Sequence, residues 1–167
     1  LARCDVASDA PALIEMLARE IGWDAGEIWL ADAGALLRMT ASWYATGIDA
    51  AALRAAGRAL VCRPGEGLPG NAAKSGIVIW VDTMDVSTLL RARELAEAGF
   101  VSAVAIPMQT RDAVPGVLLF FSRAAEKLEQ ALIDELSDLA SVMGELYQAR
   151  KTSDELQQTA AKLQLLL

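Results

Sequence analysis

The glycine-rich stretch from Pro64 to Gly70 holds the first pattern whose spacing could serve chemistry. Gly65, Gly67 and Gly70 match the G-x-G-x-x-G string with which many proteins bind the pyrophosphate of a dinucleotide. That use requires a following helix long enough to cross back to a parallel strand. The next apolar run begins at Ile77, which leaves no room for such a helix. The pattern therefore predicts a turn before a short helix, with an anion held at the helix N-terminus as the alternative.

The sequence contains no histidine and only two cysteines, Cys4 and Cys62. The lack of histidine excludes Ser-His-Asp and Cys-His nucleophiles and most zinc sites. Two thiols do not form a disulfide scaffold, so we expect a reducing environment and a cytoplasmic location. Cys62 precedes Arg63, whose charge could lower the pKa of the thiol and make it reactive.

Two carboxylates, Asp82 and Asp85, lie close enough in sequence to suggest a metal pair. A hard cation requires six or more oxygen ligands, and no further carboxylate stands nearby. We therefore expect these residues to cap a loop, and we expect neither a metal nor another cofactor.

Several polar side chains in predicted strands and helices are candidates for contact with a small molecule. Ser102 stands alone among apolar residues, so its hydroxyl needs either a ligand or a backbone group as hydrogen-bond partner. Arg91 lies in a predicted helix and could hold a carboxylate or phosphate, unless that helix face is solvated. One predicted strand alternates polar and apolar residues, and its polar face faces either a pocket or solvent. That polar face consists of Arg38, Thr40, Ser42 and Tyr44, opposite Leu37, Met39, Ala41 and Trp43.

The four tryptophans are the main aromatic feature in a chain with only 5% aromatic residues. Indole rings could stack on a planar ligand, but tryptophan is also commonly buried in cores, where it needs one partner for its N–H group. Trp80 is the stronger ligand candidate because it directly precedes a predicted loop. The others are Trp23, Trp29 and Trp43.

Composition restricts the class of protein. The 167 residues are 54% hydrophobic and 22% charged, enough for one globular domain and an additional element. A net charge of −7 disfavours nucleic acid or an anionic membrane as a partner. The longest apolar runs, such as 117–121, are too short to cross a bilayer.

Hydrophobic periodicity and turn residues predict an α+β fold with a mostly antiparallel sheet of six strands. The predicted helices cover 8–22, 48–57, 71–76, 88–98 and about 125 to the end. The strand at 77–81 is apolar and β-branched, which predicts full burial. The other predicted strands cover 27–31, 35–44, 60–62, 100–109 and 114–122.

The final predicted helix carries two interleaved heptad series, the pattern of a left-handed coiled coil. Small or polar residues at Ala149, Ser153 and Ala160 make the seam weaker than a leucine zipper. A weak seam suits a switch between two packings, although a plain dimerisation stalk is an equally open interpretation. The predicted dimer seam comprises Leu139, Val142, Leu146, Ala149, Leu156 and Leu163.

The order of elements and several local motifs resemble the GAF domain, a PAS-related sensory module of signalling proteins. The resemblance covers about residues 9 to 148. It implies a sheet with terminal helices on one face and a small-molecule pocket under loops and short helices on the other. The motifs are Gly22-Trp23-Asp24 to Leu30, Pro64-Gly65-Glu66-Gly67-Leu68-Pro69-Gly70, Ile77-Val78-Ile79-Trp80-Val81-Asp82, Gly99-Phe100-Val101-Ser102-Ala103-Val104-Ala105-Ile106-Pro107 and Gly116-Val117-Leu118-Leu119-Phe120-Phe121-Ser122.

This resemblance suggests a sensor domain at 1–148, followed by a signalling helix at 149–167. We expect a bacterial regulatory domain that binds an unknown small molecule and dimerises through its last helix. It would relay its state to an output domain outside this chain, with no catalytic activity of its own. The alternatives are a ligand-free dimerisation module and an enzyme of the free-methionine-sulfoxide-reductase type that would depend on Cys62. Candidate ligand contacts are Ser42, Trp43, Tyr44, Trp80, Arg91 and Ser102.

Overall fold

The computed structural model describes residues 5–85 and 89–167, so that Cys4 and the predicted helix start at Thr88 lie outside the described residues. Within the described ranges the chain forms five helices and six strands. In chain order they are α1 (Val6–Ile21), β1 (Ala25–Ala31), β2 (Leu37–Tyr44), α2 (Ala50–Ala59), β3 (Val61–Cys62), α3 (Gly67–Ser75), β4 (Ile79–Val81), α4 (Ala92–Glu97), β5 (Ser102–Pro107), β6 (Gly116–Ser122) and α5 (Gln130–Leu166).

The strands form one sheet in the order β3-β2-β1-β6-β5-β4, and every neighbouring pair is antiparallel. The predicted α+β architecture with six antiparallel strands is therefore confirmed. β1 lies at the centre, between β2 and β6, and all but its last residue are buried. The β1–β2 turn is held by Asp32, whose Oδ1 accepts hydrogen bonds from the backbone N–H groups of Gly34 and Leu36.

The two faces of the sheet are covered by different helices and carry separate apolar cores. The terminal-helix face packs against α1 and α5 through residues such as Ile14, Ile28 and Met143. The short-helix face packs against α2, α3 and α4 through residues such as Leu53, Leu68 and Leu95. Side chains along β1 alternate between these faces, which puts Ile28 on the first and Trp29 on the second.

A β-bulge in β2 contradicts the alternation that the sequence predicts for this strand. Ile28 faces Ala41 and Trp29 faces Met39, so Thr40 has no partner on β1. An extra residue in one strand reverses the facing of every side chain that follows it. Leu37 and Met39 accordingly lie on the short-helix face, whereas Ala41 and Trp43 lie on the terminal-helix face.

The same reversal separates the four polar residues that were predicted to share a face. Tyr44 belongs to the buried core of the short-helix face, and the Ser42 hydroxyl accepts a hydrogen bond from Arg54 of α2. Arg38 is exposed beside Asp32, at 3.5 Å, and Thr40 is exposed at the bulge.

Three predicted elements differ from the observed ones. The strand at β4 is an edge strand with Ile79 and Trp80 only half buried, and the preceding Ile77 is exposed. The apolar run there is thus not fully buried, because one side of β4 has no neighbouring strand among the described residues. α3 begins at Gly67 rather than at residue 71, and α4 at Ala92 rather than at residue 88.

The last helix begins at Gln130, later than the predicted start near residue 125. It runs for 37 residues, a length of about 55 Å. Its body-facing residues are Ile133, Leu136, Ala140, Met143 and Gly144, and from Thr152 onward every residue is exposed. No helix in the described part of the chain has the length and apolar character that a membrane crossing requires.

Candidate functional site

Glu27 is the central residue of the site on the short-helix face. It lies on the central strand β1 and has no solvent exposure. Its Oε1 accepts hydrogen bonds from Trp29 Nε1 at 3.0 Å and from Arg91 Nη2 at 2.6 Å. Its Oε2 accepts hydrogen bonds from Tyr44 Oη at 2.6 Å and from Arg91 Nη1 at 3.0 Å. Both carboxylate oxygens are therefore saturated by side chains of the protein.

Arg91 connects this carboxylate to the start of α4 and to α2. It stands immediately before α4 and is only 6% exposed. Its Nη1 also donates to the carbonyl of Leu53 in α2 at 3.4 Å, and its guanidinium lies 5.7 Å from the Trp29 ring centroid. Gly57 of α2 leaves space for it, because a Cβ at that position would stand 3.0 Å from Arg91 Nη1.

Burial and charge pairing act together on the ionisable groups of this cluster. Burial, the Glu27 charge and the hydrogen bond to Glu27 raise the pKa of Tyr44 far above its usual value. Burial acts to lower the pKa of Arg91, but the attraction of Glu27 outweighs it and raises that pKa. Both shifts keep Arg91 charged and Tyr44 protonated, the states in which each donates to the carboxylate.

The interior beside this cluster is almost filled. A cavity of about 20 Å³ remains between the sheet and α3, which is room for about one water molecule. Trp29, Leu68, Arg91 and Phe121 contribute to its wall. This cavity, as the described residues line it, is smaller than the usual small-molecule pocket.

A larger groove opens at the edge of the sheet, between β4 and α3. Its volume is about 540 Å³, within the range of about 300–1,000 Å³ that is usual for ligand pockets. Leu68, Ile77, Ile79 and Trp80 give it apolar walls. Polar groups come from Asn71, Ser75, Asp82, Thr83 and Asp85.

The structure brings together only some of the six candidate ligand residues. Tyr44 and Arg91 share the Glu27 cluster, and Ser42 lies near them on the same face. Trp80 lines the β4 groove, and its ring stands edge-on to Trp23 with centroids 6.2 Å apart.

Trp43 and Ser102 line neither the cavity beside Glu27 nor the groove between β4 and α3. Trp43 packs on the terminal-helix face, with the Arg19 guanidinium 5.3 Å from its ring. The Ser102 hydroxyl donates to the backbone carbonyl of Ala124, which is the backbone alternative that the sequence left open.

Glu27 itself is missing from the sequence-based candidates. A signal was present, since it is a carboxylate within an otherwise apolar strand, Ala25-Gly26-Glu27-Ile28-Trp29-Leu30. A charged residue at a fully buried strand position requires a partner of opposite charge. Its partner is 64 positions away in sequence, so the sequence contained no local indication of the pair.

Cys62 does not have the environment of a reactive thiol. Burial raises its pKa to about 11, and Arg91 opposes this only in part. The pKa of this thiol is therefore raised rather than lowered, contrary to what the charge of Arg63 suggested. The thiol is protonated near neutral pH and is fully buried.

The glycine pattern at 65–70 is explained by close backbone packing. A Cβ at Gly70 would stand 2.2 Å from the carbonyl oxygen of Arg63, and the Gly65 N–H donates to the Gly70 carbonyl at 2.7 Å. Gly65 and Gly67 adopt positive φ angles of 89° and 61°, which glycine tolerates best. The predicted turn before a short helix is thus confirmed.

The two aspartates at 82 and 85 lie on the loop that follows β4. Asp82 pairs with Lys127 at 3.7 Å. Among the described residues, no group of three or more histidine, cysteine, aspartate or glutamate side chains is placed to hold a metal ion.

Comparison with known proteins finds one family over most of the chain. A profile described as GAF domain matches residues 12–146. No curated protein sequence matches the chain.

Solved structures of the same fold cover most of the chain. The GAF domain of an Acinetobacter phosphoenolpyruvate-protein phosphotransferase superposes with a TM-score of 0.71 at 16% identity, over 90% of this chain and 87% of its own. The GAF domain region of a Geobacter sulfurreducens PCA protein superposes with a TM-score of 0.64 at 27% identity, over 89% of this chain and 94% of its own. Free methionine-R-sulfoxide reductase from Neisseria meningitidis superposes with a TM-score of 0.67 at 16% identity, over 89% of this chain and 81% of its own.

Proposed function

This chain belongs to the GAF domain family, and we propose that it is a dimeric regulatory module of a bacterial signalling protein. In this proposal, two copies pair along α5 from Leu139 to Leu163. The pair then passes the state of the domain to an output domain outside this chain. The observation that carries the proposal is a row of exposed apolar side chains at heptad spacing on α5.

The exposed row lies on a different side of α5 from the residues that contact the domain body. Val142 is 55% exposed, Leu156 66% and Leu163 58%, and Leu139 and Leu146 are also exposed. Ile133, Leu136, Ala140 and Met143 are buried against the body. Large apolar side chains in water carry a free-energy cost that a partner helix would remove.

Heptad spacing favours a second copy of the same helix as the partner. The positions repeat every seven residues from Leu139 to Leu167 and from Val142 to Leu163. Two identical helices in parallel register would place equal residues opposite each other along such a seam. Ala149, Ser153 and Ala160 would weaken this pairing, which suits a helix pair that can change its packing.

The pairing is tested with an acidic substitution in the seam and a matched substitution outside it. Leu156→Asp would place a charge in the apolar seam. Gln158→Asp introduces the same side chain two residues later, on the opposite side of the helix. Sedimentation equilibrium over a wide concentration range should show a mass of about twice 17.7 kDa for the native chain and the Gln158 variant. The Leu156 variant should sediment as a monomer.

Two results would refute this pairing. One is a monomeric native chain at the highest concentration. The other is an equal mass for both variants, since the seam residue would then have no special role.

A second candidate function, small-molecule sensing, is favoured by the open groove between β4 and α3. Its volume and mixed lining suit a small ligand, whereas the interior cavity of about 20 Å³ suits a module that needs no ligand inside. Native mass spectrometry of protein from its own host should then detect a retained molecule. Ile77→Glu in the groove should release it, and Met16→Glu, a similarly exposed apolar position on α1, should not. A protein without any retained mass would leave the ligand-free module as the function.

We propose no catalytic role for the domain. The reductase alternative depends on Cys62, whose buried thiol with a raised pKa is a poor nucleophile. The proposal also includes a cytoplasmic location, which agrees with a free thiol at Cys62.

A further inference from the structure

We propose that Trp29, Tyr44 and Arg91 form a carboxylate-binding site inside the domain and that the chain's own Glu27 is its resident ligand. In that position Glu27 fastens the start of α4 to the central strand and keeps the interior closed. This inference goes beyond the dimeric function, because it concerns the opposite face of the sheet from α5.

The donors around Glu27 have the arrangement that carboxylate binding requires. Arg91 presents two N–H groups to the two oxygens, at 2.6 and 3.0 Å, the bidentate geometry of strong arginine–carboxylate pairs. Trp29 Nε1 and Tyr44 Oη each add one donor, at 3.0 and 2.6 Å. Tryptophan N–H and arginine can only donate, so this set selects an acceptor with two oxygens.

The surroundings are built to hold the charged pair away from water. Glu27 is 0% and Arg91 6% exposed, and a buried pair is tolerated only when its remaining hydrogen-bonding groups are satisfied. Glu27 uses both oxygens, and Arg91 also reaches the Leu53 carbonyl and the Trp29 ring. Gly57 leaves the space that the guanidinium occupies.

The position of Arg91 makes this pair a fastening for α4. Arg91 is the residue directly before α4, a helix of six residues with only Ala92 and Leu95 buried. Such a short helix has little apolar contact of its own. The hydrogen bonds to Glu27 therefore form a substantial part of what holds this segment on the sheet.

Removal of the Glu27 side chain should leave a vacant site that accepts a small carboxylate from solution. Glu27→Ala removes the carboxylate and leaves the three donors. Sodium formate at about 0.1 M should raise the melting temperature of this variant by several degrees relative to equal sodium chloride, because a ligand that binds only the folded state stabilises it. The native chain and Glu27→Ala/Arg91→Met should show no difference between the two salts. Equal melting temperatures of Glu27→Ala in both salts would overturn the proposal.

A second variant tests the fastening without creating a cavity. Glu27→Gln keeps the volume but replaces one acceptor oxygen by a donor group, which opposes Arg91 and either Trp29 or Tyr44. We expect faster amide hydrogen exchange across 92–97 and unchanged exchange in β6. The matched control is Glu97→Gln, which breaks only the exposed pair with Arg93 and should leave exchange in α4 as in the native chain. Unchanged exchange at 92–97 in Glu27→Gln would refute the fastening role even if Glu27→Ala does not fold.

Discussion

The interior of the short-helix face and the far end of α5 depart from ordinary burial in opposite directions. Inside the domain a glutamate and an arginine lie almost completely away from water. On α5, Leu156 and Leu163 are more than half exposed. The charged pair is stable because the fold itself supplies every partner that Glu27 needs. The leucines have no such partner among the described residues, and in the proposed dimer the partner helix would supply it. A buried charge or an exposed large apolar side chain therefore indicates that a partner should be sought, either within the chain or in another molecule.

The largest expected effect comes from breaking the internal pair. Arg91→Met leaves the Glu27 carboxylate buried without its cation, which costs about 3–5 kcal/mol of folding free energy. Urea unfolding followed by circular dichroism measures this loss. Arg93→Met, two residues later on the exposed surface, should leave the unfolding midpoint unchanged. Equal midpoints for both variants would show that the internal pair contributes nothing to stability.

A smaller effect should follow from strengthening the seam on α5. Ser153→Leu together with Ala160→Leu fills two of the three weak seam positions, and burial of one leucine contributes about 1.5–3 kcal/mol. We expect the dimer dissociation constant to fall at least tenfold, which corresponds to about 1.4 kcal/mol. Sedimentation equilibrium measures this change, with Gln158→Leu as the control away from the seam. An unchanged constant for the double variant would place the dimer contact elsewhere.

The smallest effect concerns Cys62, whose reactivity reports how closed the interior is. With a pKa of about 11, about one thiol in a thousand is ionised at pH 8. In a Cys4→Ser background, iodoacetamide should modify the folded chain far more slowly than the chain in concentrated urea, as followed by mass spectrometry. The rate should increase as the pH approaches 11, because the thiolate is the reacting form. Equal rates in folded and unfolded chains would contradict a closed interior.

The β2 strand shows why periodicity could predict the element but not its faces. Alternation along 35–44 correctly indicates a strand next to β1. The bulge at Thr40 arises from the way β2 pairs with Ile28 and Trp29 of its neighbour. Since a one-residue shift reverses the facing of later side chains, Trp43 leaves the face on which the sequence placed it.

The candidate site was predicted only in part for a similar reason. Tyr44 and Arg91 were identified as polar residues of interest, but each was assigned to an external ligand. Their shared partner is Glu27, which is 17 positions from Tyr44 and 64 from Arg91. No pattern within a short window of sequence links residues that far apart.

The amino-acid sequence alone predicted the element order, the GAF resemblance and the heptads of α5. These features depend on near neighbours along the chain, where helical and strand periods and turn residues act directly. The packing of distant segments determined the identity of the Arg91 partner, the small size of the cavity beside it and the half-buried edge at β4. Burial depends on which residues are neighbours in three dimensions. The Glu27 carboxylate that stabilises Arg91 could therefore be identified only from the contact between β1 and the start of α4.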